Sequence, residues 1–415
     1  MSKKRRWGLK VNRKELLVSV DIGKATHWGY WRVPGGGPES ASFPFPNTRQ
    51  GFAQFLRIIQ AAQRRYQLER VVVGFESTGP YGHPLLHYLH ARQVPLVQIN
   101  PMHTKKLQEL PDNSPLKDDR KDPAVIATVM ELGQTLTVVV PTGVAADIRA
   151  VVRARAAVQQ LRLAECHRLT SLLSQVFPEF LEVMHGVTSR SAQYLLAHYP
   201  TPAALLRAER TALEAEVHRV SRGRLGTARV AALRAAAQET IGVTAGLEGA
   251  RVAIQGEVER LGLYERQLTE MEDRLTQLLA QIPEVAVLFS LKGVGVVTVA
   301  TVVGEVGSLP AFPTQAALFK YVGLNLYERS SGQWKGQRRI SKHGSGLVRH
   351  ALFLAAVNMI RTNGLFHAYA QRQQARGKPA KVILTAVMRK ILARMYAMVR
   401  DQQVYQPRTE YSQAA

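Results

Sequence analysis

Leu16-Leu17-Val18-Ser19-Val20-Asp21-Ile22-Gly23-Lys24 is the stretch on which the fold turns. An apolar run with two valines ends on one carboxylate, passes a glycine, and returns through Trp28-Gly29-Tyr30-Trp31-Arg32-Val33. This reads as a buried strand with Asp21 at its solvent-facing end, a turn, and a paired second strand. An aspartate so placed is either a turn or cap residue or a metal ligand. The chain's other acidic residues decide which.

Ala41-Ser42-Phe43-Pro44-Phe45 reads as a short third strand, and its prolines suit a sheet edge. Asn47-Thr48 then cap a helix with Phe52, Phe55, Leu56 and Ile59 on one face. Val71-Val72-Val73-Gly74-Phe75 is a second buried strand, and it too ends on a carboxylate, Glu76. A turn, a helix carrying Leu85, Leu86 and Leu89, and a strand from Val94 to Ile99 follow. Three antiparallel-type strands followed by alternating helices and strands is the order of a ribonuclease-H-like α/β sheet. In that layout Asp21 and Glu76 end at the same edge.

From Asn100 to Leu116 the chain is polar and proline-punctuated, and a loop is expected. Lys117-Asp118-Asp119-Arg120-Lys121-Asp122-Pro123 follows, with Pro123 suited to the first turn of a helix. Asp119 and Asp122 are three apart and share a face there; the plainer reading makes Asp122 an N-cap and leaves the others solvated.

Residues 143 to 282 are helical in pattern. A seam of Ile254, Leu261, Tyr264, Leu268, Met271, Leu275, Leu278 and Ile282 spaces apolar residues by three and four. It suits either a long helix packed within its own chain or a coiled-coil contact between chains. Ser290-Leu291-Lys292-Gly293-Val294-Gly295 is a glycine turn between helices: a phosphate grip through exposed amides, or a packing turn. A helix from Phe312 to Val322 closes on Gly323. A stretch without periodicity follows, containing Arg329-Ser330-Ser331-Gly332 and Lys335, Arg338 and Arg339. Serines among cations suit phosphate chemistry, although the composition is also that of an ordinary loop. Ile340-Ser341-Lys342-His343-Gly344 continues the basic, glycine-rich character, and helices at 347–361 and 379–400 close the chain.

Across 415 residues, 55 Lys and Arg stand against 31 Asp and Glu, a net charge of +24. Such a surface attracts polyanions, nucleic acid above all. The single cysteine excludes an intramolecular disulfide and a cysteine-built zinc site. The basic start, Ser2-Lys3-Lys4-Arg5-Arg6, has no apolar run behind it and is not a secretory signal. No run reaches the roughly 18 apolar residues of a membrane span, and the lone cysteine fits a reducing cytosol.

Taken together, Asp21, Glu76 within Phe-Glu-Ser-Thr-Gly, and the Lys117–Pro123 stretch resemble the DEDD tetrad of the insertion-sequence-110-type transposases. The second half resembles that family's C-terminal domain through Lys-Gly-Val-Gly, Tyr-Val-Gly-Leu-Asn, Ser-Ser-Gly, Ile-Ser-Lys-His-Gly and Leu-Val-Arg-His-Ala-Leu, in order. The resemblance implies a basic arm (1–14), a RuvC-like domain (15–142), a helical and coiled-coil region (143–283), a mostly α transposase domain (284–402) and a tail (403–415). It implies Mg2+, or Mn2+, held by Asp21, Glu76, Asp119 and Asp122, and a nucleophilic Ser331. Asp118 and Ser330 are the rival positions, because Asp118 stands where the family usually has threonine. Lys292, Arg329, Lys335, Arg338, Arg339 and Lys342 are the cations expected on nucleic acid. The implied partners are donor and target double-stranded DNA, a structured non-coding bridge RNA, and further copies of the chain, as a tetramer built from dimers. The implied setting is a bacterial cytoplasm, at the nucleoid. A metal-dependent, RuvC-like structure-selective endonuclease without a covalent intermediate is the rival in the same chemistry. A non-catalytic architectural binder is the rival outside it.

Overall fold

The computed structural model describes residues 14–76, 79–108, 122–328, 330–331, 334–336, 338–361 and 364–406. Asp118, Asp119 and Arg329 lie outside the described residues, as do the arm before Lys14 and the tail beyond Gln406. The chain forms two compact units. One joins residues 1–146 to 305–415, and the other is the intervening 147–304.

The first unit opens with β1 (Glu15–Asp21), β2 (Thr26–Arg32), β3 (Phe43–Pro46), α1 (Arg49–Arg65), β4 (Arg70–Glu76), α2 (His83–His90), β5 (Leu96–Ile99), α3 (Pro101–Gln108), α4 (Asp122–Glu131) and β6 (Thr135–Thr137). The six strands form one sheet in the order β3-β2-β1-β4-β5-β6. β1, β4 and β5 run parallel; β2 is antiparallel to β1, β3 to β2, and β6 to β5. Alternation along β1 sends Leu16, Val18 and Val20 to a core with Phe52, Phe55, Ile59 and Leu89 of α1 and α2. Leu17 turns to the opposite face, against Ile126, Val129 and Met130 of α4. The sheet is therefore covered on both sides, which is why its strands read as unbroken apolar runs. Gly74 of β4 is required by this layering. A Cβ there would lie 2.3 Å from Met130 Sδ, so only glycine lets α4 come down onto the sheet.

The expected loop from Asn100 is corrected: Pro101–Gln108 is helical. Pro101 supplies the first turn, and the Asn100 side chain accepts from the Met102 amide at 3.0 Å, so a proline read as a breaker is a helix start. The fifth strand begins at Leu96, two residues later than expected, and β6 is too short to carry a pattern of its own.

The second unit is helical. It holds most of α5 (Gly143–Val176), then α6 (Pro178–Met184), α7 (Arg190–His198), α8 (Pro202–Arg207), α9 (Arg210–Ser221), α10 (Thr227–Gln238) and α11 (Leu247–Leu279). α5 and α11 run antiparallel, as the ion pairs Arg155–Glu272 and Arg162–Glu265 show: one number rises as the other falls. Ile254, Leu261, Leu268, Leu275 and Leu278 of the expected seam are buried within this chain, while Tyr264, Met271 and Ile282 are half-buried. Between the two long helices the buried carboxyls Glu165 and Glu257 share Arg260, and Glu165 also holds Arg168. Burial and the nearby Glu165 push the Glu257 carboxyl up. Glu165, accepting from Glu257 and flanked by Arg168 and Arg260, is held low.

α12 (Val296–Val306) leads back to the first unit, where α13 (Gln315–Val322), α14 (Gly346–Ile360), α15 (His367–Ala375) and α16 (Ala380–Asp401) follow. α13 begins three residues later than the apolar pattern suggests, because Leu309–Ala311 is a separate 3-10 turn and Thr314 is the N-cap, accepting from the Ala317 amide at 3.2 Å. α14 and α16 pack their Ala351, Leu352, Ala355 and Val387, Ile391, Met395 faces into the core of this part. No helix among the described residues is long and apolar enough to cross a membrane.

Candidate active site

The acidic edge is built by strand alternation. The parallel register of β1 and β4 runs from Glu15 opposite Arg70 to Val20 opposite Phe75, which sets Asp21 beside Glu76 at the next step. Both lie in phase with Leu17 and Val72, and so belong to the face covered by α4. Asp122 is the first residue of α4. Two ties fix that helix on the sheet. The buried Ser19 hydroxyl donates to the Pro123 carbonyl at 2.6 Å, one residue past Asp122 and two before Asp21. At the far end Glu131 accepts from the Gly35 amide at 2.7 Å and pairs with Arg32 at 3.5 Å. Three carboxylates are thus brought to one edge from three elements.

The turn after Asp21 is equally constrained. A Cβ on Gly23 would lie 2.0 Å from the Thr26 carbonyl oxygen, and the Gly23 amide donates to His27 Nδ1 at 3.2 Å. His27 is fully buried between Phe45 and Phe52, and burial holds its imidazole below its ordinary range. An accepting Nδ1 requires the neutral ring, so this histidine is a fixed part of the turn.

Thr104 of α3 supports Glu76. Its buried hydroxyl lies within hydrogen-bond reach of Glu76 Oε1 and of the Pro101 carbonyl at 2.9 Å, and its one proton serves one acceptor at a time. Sequence reading passed over Thr104 because it passed over α3; Asn100-Pro101 is the signal that would have found both.

All-oxygen carboxylate donors suit a hard divalent cation such as Mg2+ or Mn2+. Among the described residues no three His, Cys, Asp or Glu side chains are grouped closely enough to hold a metal ion. Asp21, Glu76 and Asp122 therefore share an edge without forming a cage by themselves, and Asp119 lies outside the described residues.

The serine stretch lies in a hairpin arm rather than an irregular loop. β7 (Leu326–Tyr327) pairs with β10 (Arg339–Ile340), and nearer the tip β8 (Ser330–Ser331) pairs with β9 (Trp334–Lys335). Ser331 stands opposite Trp334. Two residues separate Tyr327 from Ser330 and three separate Lys335 from Arg339, which puts the two ladders one residue out of step. Arg338 and Arg339 are exposed on the returning side, and Arg338 pairs with Glu328 at 2.9 Å.

The base of the arm is clamped. Ser341 donates its amide to the Asn325 carbonyl at 2.9 Å, and the Lys342 amide donates to Gly323 at 3.0 Å. Lys342 is exposed, with a left-handed φ of 57°. A Cβ on Gly344 would lie 2.1 Å from the Tyr321 carbonyl oxygen, and Arg349 donates at 2.9 Å to both the Val322 and Gly344 carbonyls. The loop thus seals the C-terminal end of α13. His343, in that loop, lies 3.5 Å from the Asn100 side chain at the acidic edge. Lys292 is exposed in the second unit on the turn before α12, where Gly293 takes a φ of 95°.

Comparison with known proteins bears on the family of the chain. A family model for DEDD transposases of the IS110 type, described as Transposase, matches residues 18–178. A second, described as Transposase IS116/IS110/IS902 family, matches residues 285–371. The chain is 26% identical over 399 residues to the insertion element IS110 uncharacterized 43.6 kDa protein of Streptomyces coelicolor, covering 95% of this chain and 96% of that one. It is 22% identical over 408 residues to the insertion element IS116 uncharacterized 44.8 kDa protein of Streptomyces clavuligerus, covering 98% and 100%. It is 28% identical over 147 residues to the pilin gene-inverting protein of Moraxella bovis, covering 34% of this chain and 46% of that protein.

Proposed function

The chain belongs to the IS110-type transposase family, and from that premise we propose that it cuts and rejoins donor and target DNA through a covalent phosphoserine, guided by a structured RNA. The observation that carries the proposal is the convergence of Asp21, Glu76 and Asp122 on one sheet edge. The strand order supports a ribonuclease-H-like, RuvC-like identity for this sheet, with β1, β4 and β5 parallel and β2 and β3 folded back antiparallel. A relative named for inverting a gene supports site-specific recombination as the reaction class.

In this reading Asp21, Glu76, Asp119 and Asp122 hold Mg2+, or Mn2+, at the edge. A bound divalent ion supplies charge neutralisation at a scissile phosphate. Thr104 orients the Glu76 carboxylate, and His27 holds the turn that presents Asp21. The arm presents Ser331, with Ser330 the rival. Its Oγ attacks phosphorus, forming a new P–O bond as the bond to one deoxyribose oxygen breaks, and that oxygen leaves as a hydroxyl after taking a proton. The phosphodiester energy is kept, so the reverse attack by a DNA hydroxyl rejoins the strand without a nucleotide cofactor. Arg329, Lys335, Arg338, Arg339, Lys342 and Lys292 lie on nucleic-acid backbone. The net charge of +24 supports DNA and RNA as joint partners, with site choice left to base pairing. A tetramer lets the acidic edge of one copy work with the arm of another.

The test is to trap the protein–DNA adduct under denaturing conditions with and without EDTA. An adduct that Ser331→Ala abolishes and EDTA suppresses supports the reading. Strand cleavage that depends on metal but never yields an adduct supports the rival endonuclease.

A further inference from the structure

Arg190, Arg222 and Arg224 stand around one cavity of about 410 Å3 in the second unit, between the start of α7 and the turn from α9 to α10. All three are exposed, and among the described residues none has a carboxylate partner. Arg207, Arg229, Arg234, Arg266 and Arg274 of the unit also lack a carboxylate partner among the described residues, but Arg190, Arg222 and Arg224 are gathered, with Arg229, at one cavity. Arg155, Arg162, Arg168, Arg210, Arg219, Arg251 and Arg260 each pair with a glutamate. No Asp or Glu lines the cavity. Val183, Met184, Val220 and Leu225 give it apolar lining beside His185 and three serines, and Arg229 donates to the Val183 carbonyl. The volume falls in the small-ligand range of about 300–1,000 Å3.

Guanidinium forks without a carboxylate partner, lining one cavity together with apolar side chains, fit a group that is anionic at one end and flat and weakly polar at the other. From this we infer that the cavity takes an unpaired nucleotide of an RNA, its phosphate on Arg190, Arg222 and Arg224 and its base against Val183, Met184 and Leu225. Duplex DNA keeps its bases stacked and offers only phosphate, whereas RNA loops and bulges present splayed nucleotides that proteins read individually. Arginine suits the phosphate because its planar fork binds oxygen pairs. The inference rests on the proposed RNA partnership and adds to it a site on the helical unit, away from the acidic edge and the arm in sequence.

The test uses the full-length protein and fluorescence anisotropy over a salt series. Probes are a labelled single-stranded RNA of about 20 nucleotides and a DNA duplex of the same sequence. In R190Q/R222Q/R224Q, RNA affinity is expected to fall about tenfold or more, and the slope of log Kd on log salt to fall by about 2, from three single-strand contacts. Duplex DNA affinity should change by less than about twofold, because its main contacts lie elsewhere. The control R207Q/R266Q/R274Q, which removes equal charge from other exposed positions of the unit, should leave the RNA slope in place. Thermal melting checks the fold; if the triple variant melts early, Arg190→Gln alone should lower the slope by about 0.7. An unchanged RNA slope, an equal loss for DNA, or an equal loss in the control overturns this assignment while leaving the RNA-guided reading intact. Failure of the unmodified chain to bind RNA overturns both.

Discussion

Asn100 and His343 are 243 positions apart in the chain and 3.5 Å apart in space. Asn100 follows Ile99, whose register partner is Glu76, and His343 lies in the loop that seals α13. The acidic edge and the base of the serine arm therefore meet within one unit.

His343→Ala is expected to lower DNA strand cleavage about tenfold or more by loosening the arm's seat against the acidic edge. The contact is a single exposed one, so the cost in stability should stay under about 1 kcal/mol. Plasmid cleavage and thermal melting, run on the same preparation, check both halves.

Thr104→Val removes the hydroxyl beside Glu76 while keeping the side-chain volume. Loss of such an orienting partner typically weakens metal binding by about tenfold to a hundredfold. The expected outcome is a higher Mg2+ concentration for half-maximal cleavage, with activity regained at saturating metal. A Mg2+ titration that matches the unmodified protein would remove Thr104 from this role.

The neutral, buried His27 makes stability depend on pH. Its folded value is depressed, so its contribution is fully present above its ordinary value of 6.5 and is lost as pH falls below that point toward the folded value. His27→Phe keeps the ring against Phe45 and Phe52 but gives up the acceptor for the Gly23 amide. Melting curves from about pH 7 to 5 should show a shallower decline for the variant, starting from a lower plateau.

Glu257 has the opposite sign. Its raised folded value means the protonated form is favoured, so its contribution is present below the ordinary carboxylate range and is lost as pH rises through the folded value. Glu257→Gln is expected to raise the melting temperature near about pH 8 and change it little near about pH 4. Glu165→Gln should lower it at about pH 8, because Arg168 and Arg260 then lose their buried partner.

Sequence reading reached the central strands because β1 and β4 are buried on both faces, which writes continuous apolar runs ending on Asp21 and Glu76. The helix cap at Thr48 was legible for a local reason, since its hydroxyl answers an amide three residues on; Thr314 caps α13 in the same way but was hidden by the apolar residues that precede it. The α5–α11 seam showed its period but not its partner, since an apolar stripe has the same spacing whether it meets its own chain or another. The hairpin arm was illegible because its ladders are two residues long and slip by one between them, which erases alternation. His27 was missed because its role is set by burial between Phe45 and Phe52, and Thr104 because α3 was read as a loop and its partner Glu76 lies 28 positions away.

One unit is assembled from both ends of the chain, with 147–304 inserted between them. During synthesis the sheet is made first, yet the helices that complete its unit leave the ribosome last. A chain that stops before residue 305 therefore carries the strands of Asp21 and Glu76 without α13, α14, α15 and α16, which belong to the same unit.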